Sequence, residues 1–206
     1  MILETRSYGD PSAPALAVLH GGPGAPGYMA PVARELSDGF HVLEPLQRPS
    51  GGERLSVALH LADLRETLAA HDALLAPLVG SSWGAMLALA YAAEHASGPL
   101  ALLGCGTFDP AARARMVELR EGKTDDALRA RLSELDAIED PDARLLAKAE
   151  AILPRDSYAL LTRDQELLGC DARSNRESWS DITRLQAEGV YPAAFARIEV
   201  PVLMLH

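Results

Sequence analysis

The chain has 206 residues, of which 48% are hydrophobic and 23% charged, a size and composition typical of one soluble globular protein with a sizeable core. Its net charge of −10 disfavours a nucleic-acid partner, because phosphate binding relies on clustered Lys and Arg. With no apolar run long enough to cross a membrane, and no apolar segment at the N-terminus, we expect a cytoplasmic protein without a membrane partner.

The first hundred residues alternate short apolar runs with helical patterns, which indicates a parallel sheet covered by helices. Continuous apolar runs suit strands that are buried on both faces, and apolar residues at helical spacing suit helices that pack on the sheet. In chain order they predict strand 15–19, helix 28–37, a strand from 41, helix 56–72, strand 75–79, helix 85–95 and strand 100–103.

From residue 108 the pattern changes to helices alone, and strand character returns only at 200–205. Apolar residues at helical spacing mark three segments, and prolines predict their boundaries. The markers are Leu128, Leu132 and Leu135 for the first helix, Leu145, Leu146, Ala149 and Leu153 for the second, Leu160, Leu161, Leu167 and Leu168 for the third, and Pro110, Pro141 and Pro154 for the boundaries.

A helical block inserted between strands of one sheet is typical of a cap over a site at the strand ends. We therefore predict an α/β protein of three layers with a mainly parallel sheet. Its core would span residues 1–107, its cap 108–190, and residues 191–206 would return to the core with the last strand.

The segment Gly80-Ser81-Ser82-Trp83-Gly84 follows a predicted strand, precedes an apolar helix and fits G-x-S-x-G, the nucleophile elbow. In such an elbow the serine lies on a strained turn with positive φ, and the two glycines let strand and helix approach closely. We predict that Ser82 is a catalytic nucleophile, that the Trp83 N–H faces the developing oxyanion, and that Ser81 is a spacer.

A second glycine-rich segment, His20-Gly21-Gly22-Pro23-Gly24, directly follows the first predicted strand. Its backbone N–H groups can reach a site without a Cβ in the way, and the Gly22 N–H would complete a two-donor oxyanion hole with that of Trp83. A phosphate-binding loop is disfavoured because no Gly-Lys-Ser/Thr follows. His20 could be a general base, but organising the loop through its ring nitrogens is the preferred interpretation.

These two motifs, in this order and spacing, resemble those of the α/β-hydrolase superfamily, and within it of the proline iminopeptidases and their relatives. A weaker similarity lies at 198–206, which looks like the family's late strand and the start of its H-G-x-x-D turn. The resemblance implies an α/β-hydrolase fold and two-step acyl transfer without a metal or organic cofactor. The two cysteines, Cys105 and Cys170, match no metal or redox spacing.

Two departures from the family limit the predicted substrate. Residues 45–52 read PLQRPSGG where the family has D-Q-R-G-x-G-x-S. The cap has one tryptophan, Trp179, and no W-x-x-W-E motif for a substrate amino group; Glu166, Glu177 and Glu188 could supply such a carboxylate but suit a solvated helix face better. We therefore expect a small ester or amide as substrate, with a short peptide as the narrower alternative.

The triad order in this family is Ser, then Asp or Glu, then His. By resemblance the acid would follow the strand that ends at His206, and the base would lie further on. The 206 residues then form a C-terminally truncated hydrolase without turnover, and the last strand would be an exposed sheet edge open to self-association. Asp109, after the fourth predicted strand, is a possible alternative acid, although a helix N-cap suits it better.

Two readings from other classes stay open. A non-catalytic binding module would keep the pocket and lack the chemistry, and residues completing a triad would distinguish the two. A dehalogenase or epoxide hydrolase would require an aspartate where Ser82 lies.

Overall fold

The computed structural model describes residues 1–158 and 166–205, which form six β-strands and eight α-helices. The strands are β1 (Thr5–Tyr8), β2 (Ala15–Leu19), β3 (His41–Pro45), β4 (Leu78–Ser81), β5 (Leu100–Leu103) and β6 (Val202–Leu205). The helices are α1 (Ala30–Leu36), α2 (Val57–Ala70), α3 (Trp83–Glu94), α4 (Pro110–Gly122), α5 (Asp126–Leu135), α6 (Pro141–Asp156), α7 (Ala172–Ala187) and α8 (Val190–Ala193), and a short 3-10 turn follows at Ala194–Arg197.

The six strands form one sheet in the order β1-β3-β2-β4-β5-β6. Only β1 is antiparallel to its neighbour; the other four pairings are parallel. Strands β2 and β4 are adjacent and parallel, with Leu19 paired to Gly80. The loops that follow these two strands therefore leave the sheet at the same edge, which brings residues 20–24 next to Ser82.

Alternate residues of the strands face two separate apolar layers. Ala17 and Leu19 of β2 pack in a core with α2 and α3, whereas Leu16 and Val18 pack against α1 on the opposite face. The period-2 alternation of a strand explains why one continuous apolar run supplies both cores. The sheet is thus the middle of three layers, as predicted.

The predicted elements of the first hundred residues are all present, several with boundaries shifted by one to three residues, and one strand was not predicted. Strand β4 spans Leu78–Ser81 instead of 75–79, because Pro77 has no N–H for the ladder and pairing begins at the next residue. Helix α3 begins at Trp83, two residues early. Strand β1 was missed because its sequence TRSY is polar, as suits an edge strand that packs little apolar surface.

The segment between β5 and β6 is helical, and α5 and α6 match two of the predicted helices. Pro154 was wrongly predicted as a boundary: it lies inside α6, where a proline in the last turn removes only one hydrogen bond. Leu160 and Leu161 of the third predicted helix lie outside the described residues, as does His206, and Leu167 and Leu168 are not helical. Within the described ranges, no helix combines the length and the apolar character that a membrane span requires.

Candidate active site

The turn between β4 and α3 holds Ser82 in a strained conformation. Its φ is 51° and its ψ is −112°, so the predicted positive φ is confirmed, and the residue is exposed. A Cβ at Gly80 would lie 2.3 Å from the carbonyl oxygen of Gly84, and one at Gly84 would lie 2.1 Å from that of Leu19. Both glycines are therefore required for α3 to begin directly against the ends of β4 and β2.

The loop at 20–24 lies directly against this turn. A Cβ at Gly21 would be 2.6 Å from the Ser81 carbonyl oxygen and 2.9 Å from the Ser82 Cβ. The Gly21 N–H donates to the Tyr28 hydroxyl at 2.6 Å, whereas the N–H of Gly22, whose φ is +43°, has no acceptor among the described residues. The loop thus offers one uncommitted backbone donor beside the elbow.

A second backbone donor, the Trp83 N–H, lies at the start of α3 and has no acceptor among the residues that the structure describes. The first N–H groups of a helix have no partner within the helix, and Trp83 is the first residue of α3, directly after Ser82. The positive end of the helix dipole favours negative charge at the same point. The Gly22 and Trp83 amides therefore belong to two segments that meet at Ser82, as an oxyanion hole requires.

His20 is fully buried and both of its ring nitrogens have partners. Its Nε2 accepts from the Gln47 N–H at 3.1 Å, which leaves Nδ1 protonated to donate to the Gly21 carbonyl at 3.0 Å. Burial lowers the pKa of His20 to about 4, so the ring is neutral at neutral pH. These contacts suit the organisation of the loop and leave the ring no freedom to act as the base.

A cavity of about 380 Å³ lies between the glycine loop and the helical segment that connects β5 to β6, called the cap below. Its core side includes Gly22, Tyr28 and Ser81. Its cap side is mainly apolar and includes Leu145, Leu146 and Leu153 of α6, with Leu167. Ser81, predicted to be a spacer, lines the cavity next to the elbow. Tyr28 was missed because a lone tyrosine in a predicted helix has no distinguishing pattern.

The described residues supply no general base to Ser82. None of their five histidines forms a hydrogen bond with it; the His60 ring, for example, is buried and pairs with the Ser178 hydroxyl at 2.8 Å. Burial lowers the pKa of His60 to about 4. Asp109 is exposed and accepts from the Ala112 N–H at 2.9 Å as the N-cap of α4, which is the role that suits its sequence position better than that of a triad acid.

Metal ligation is not indicated in the parts of the chain that the structure describes, where no three His, Cys, Asp or Glu side chains cluster closely enough. Both cysteines are free thiols, and burial raises the pKa of Cys105 to about 11. A reactive thiolate at Cys105 is thereby disfavoured at neutral pH.

Comparison with known proteins points to one family. Residues 16–206 match the model of a family described as alpha/beta hydrolase. No curated protein sequence matches significantly.

Many solved structures share the fold. A membrane phospholipase A, titled a novel bacterial virulence factor, is 18% identical with a TM-score of 0.60 over 97% of this chain and 64% of its own. A hydrolase from Pseudomonas aeruginosa PA01 is 18% identical with a TM-score of 0.59 over 97% of this chain and 74% of its own. A mutant of an epoxide hydrolase from Bacillus megaterium is 18% identical with a TM-score of 0.59 over 98% and 78%. At such identities the likeness establishes the fold alone.

Proposed function

Because the chain belongs to the alpha/beta hydrolase family, we propose that it is a serine hydrolase that attacks a small ester or amide with Ser82. The observation that supports this most directly is the elbow itself. Ser82 has φ of 51° between β4 and α3, with the glycine loop in contact beside it. A non-glycine residue at positive φ is costly and persists where the surrounding structure enforces it.

The proposed reaction is a two-step acyl transfer. The Ser82 Oγ forms a bond to the substrate carbonyl carbon, the Gly22 and Trp83 amides donate to the resulting oxyanion, and the alcohol or amine leaves with a proton. Water then attacks the acyl-serine, releases the acid and returns the proton to Ser82. A general base accepts the Ser82 proton in the first step, and within the described ranges no imidazole forms a hydrogen bond with Ser82.

The cavity supports an uncharged apolar acyl group as the substrate part bound beside Gly22 and Ser81, next to the elbow. Its cap wall consists largely of leucines from α6. The three glutamates considered for a substrate amino group are not among the residues that line the cavity, and each pairs with an arginine: Glu166 with Arg34, Glu177 with Arg173, and Glu188 with Arg184.

A second candidate is release of an amino-terminal residue from a short peptide, as the resemblance to proline iminopeptidases suggests. One observation favours it: Glu150 of α6, a glutamate outside that set, lines the cavity. Comparing p-nitrophenyl butyrate with proline p-nitroanilide distinguishes the two. A Glu150→Gln variant should lose activity on the second substrate alone.

The test of the proposal is Ser82→Ala in the protein expressed from its complete gene, assayed with p-nitrophenyl butyrate. We expect turnover to fall by several orders of magnitude, because the nucleophile is removed, with the melting temperature unchanged or raised. Ser133→Ala is the matched control, since Ser133 is exposed on α5. A fluorophosphonate probe should label the wild type and Ser133→Ala but not Ser82→Ala.

Two results would contradict the proposal. Turnover that persists in Ser82→Ala would place the nucleophile elsewhere. Failure of the complete wild-type protein to react with esters or the probe would favour a non-catalytic binding module. An epoxide hydrolase is disfavoured by Ser82 itself, because that chemistry uses an aspartate at this position.

A further inference from the structure

Gln47 lies two residues beyond β3, in the segment that departs from the family pattern, and is 8% exposed. It forms three hydrogen bonds. Its backbone N–H donates to the His20 Nε2 at 3.1 Å, its side-chain Nε2 donates to the His20 carbonyl oxygen at 2.8 Å, and its Oε1 accepts from the Trp83 indole Nε1 at 2.8 Å. All the hydrogen-bonding atoms of this side chain's head group thus contact residues of the candidate site.

These bonds join the two segments that hold the proposed oxyanion donors. His20 is two residues before Gly22, and its ring and carbonyl are both held by Gln47. Trp83 supplies the second amide from its own backbone, and its indole is held by the same Gln47 side chain. Because β2 lies between β3 and β4, Gln47 reaches across the end of β2 to make this connection.

The chemistry of the contact suits an amide. The amide head group of Gln donates from its nitrogen and accepts at its oxygen while remaining neutral. A glutamate would bring a carboxylate oxygen against the His20 carbonyl, and a methionine would leave that carbonyl and the Trp83 indole N–H without buried partners. The Trp83 indole also packs against His60 and Trp179, with ring centroids 5.8 Å and 5.9 Å away, so packing alone is the rival explanation for its place.

We infer that Gln47 is a positioning residue for the oxyanion hole: one side chain fixes the Gly22 and Trp83 amides relative to each other. The inference rests on the proposed serine-hydrolase function. Its specific consequence is that losing Gln47 slows the chemical step and leaves substrate binding largely intact, since the cavity walls do not involve this residue.

The test is Gln47→Met in the protein expressed from its complete gene, with kcat and KM measured separately on p-nitrophenyl butyrate. We expect kcat to fall about tenfold to a hundredfold and KM to stay within about twofold, since misplaced donors act mainly in the transition state. The control is Thr67→Val on α2, which also removes two buried hydrogen bonds, to the Leu3 N–H and the Asp63 carbonyl, away from Ser82. The kcat of Thr67→Val should stay within about twofold of wild type even if its free energy of unfolding falls as much as that of Gln47→Met.

A second variant and a structural readout keep the test decisive. If Gln47→Met does not fold, Gln47→Glu replaces it; this variant keeps the acceptor for Trp83, loses the donor to His20, and should lower kcat in the same way. The Trp83 indole N–H resonance should shift in Gln47→Met and not in Thr67→Val. Wild-type kcat in a folded Gln47 variant, or an equal loss in Thr67→Val, would overturn the inference, whereas turnover that survives Ser82→Ala would overturn the proposed function instead.

Discussion

At Gly84 a methyl group would lie 2.1 Å from the carbonyl oxygen of Leu19, much closer than van der Waals contact allows. The position is the second glycine of the elbow and the point where α3 starts against β2. Its neighbours are backbone atoms, so no side-chain rotation can relieve the overlap. The strain at Ser82 is maintained by this close approach of α3 to the sheet.

The first residue-scale prediction compares two glycine-to-alanine changes in helices. Gly84→Ala should lower the free energy of unfolding by several kcal/mol, because strand and helix must separate. Gly122→Ala at the end of α4 should raise it by up to about 1 kcal/mol, since nothing lies within 4 Å of the added Cβ and alanine favours helix. Urea unfolding of both variants measures the difference. Equal stability of the two would mean that α3 does not approach β2 as closely as the structure has it.

At the scale of the element, α7 illustrates how a helix can be held by polar contacts. Its buried residues are mostly polar, and its side chains accept from backbone N–H groups at and just before the start of α2: Glu177 from the Leu55 N–H at 2.9 Å and Asp181 from the Val57 N–H at 2.8 Å. The cap is thereby attached to the core by charged acceptors as well as by apolar packing.

The element-scale prediction concerns the N-cap of α7. Asp171 accepts from the Ser174 N–H, as an N-cap does, and also from the Ser50 N–H, both at 2.7 Å. Asp125 of α5 accepts only a capping bond, from Leu128 at 2.8 Å. Asp125→Ala should lower the free energy of unfolding by about 1 kcal/mol and Asp171→Ala by about 2–3 kcal/mol. The second loss is larger because Asp171→Ala also leaves the Ser50 N–H without its acceptor.

The cost of Asp171→Ala should also depend on pH. Burial raises the pKa of Asp171, but its hydrogen bonds outweigh burial and lower the pKa overall. A carboxyl whose folded pKa is lowered stabilises the fold above its unfolded value of about 4, and the contribution disappears as pH falls through the folded pKa. Urea unfolding at pH 7 and near pH 3 should therefore show the gap between wild type and Asp171→Ala shrinking in acid. A difference in unfolding free energy that stays the same at both pH values would contradict an ionised Asp171 carboxylate at the N-cap of α7.

At the scale of the whole molecule, the two edges of the sheet differ in character. Edge strand β1 includes Arg6, which pairs with Glu44. Edge strand β6 is Val-Leu-Met-Leu without a charge, and its four residues are 42% to 56% exposed. Uncharged apolar edges favour pairing with another chain. We propose that a polypeptide of residues 1–206 associates with itself through β6.

Sedimentation velocity over a range of concentrations measures this prediction. Residues 1–206 should form dimers or larger species, and Leu203→Lys should shift them toward monomer, because a charge on the edge opposes pairing. Leu75→Lys is the matched control: Leu75 is 67% exposed but lies in the turn before β4, so its substitution should leave association unchanged. If the wild-type polypeptide is monomeric at every concentration, or if both lysine variants change its association equally, the proposed association through β6 is wrong.

Local periodicity determined much of this protein. Apolar runs and helical spacing predicted the parallel strands and the helices on both faces, because each element must bury its own side chains. The G-x-S-x-G segment between a strand and a helix predicted the positive φ of Ser82, since a sharp turn with two close glycines has few other conformations. In α7 the buried residues are mostly polar, and in the edge strand β1 no residue is fully buried. Neither element has a periodic apolar pattern, and both were missed.

The contacts between distant segments were decided only by the tertiary structure. The bonds of Gln47 to His20 and Trp83 span 27 and 36 residues. The hydroxyl of Tyr28 accepts from the Gly21 N–H, whereas the Gly22 N–H has no acceptor in the described part of the chain. The sequence did not predict the ion pairs of Glu166, Glu177 and Glu188 with arginines either. A hydrogen bond depends on the direction and distance of two particular atoms, and the residue types along a chain determine these only after the sheet has brought the loops together.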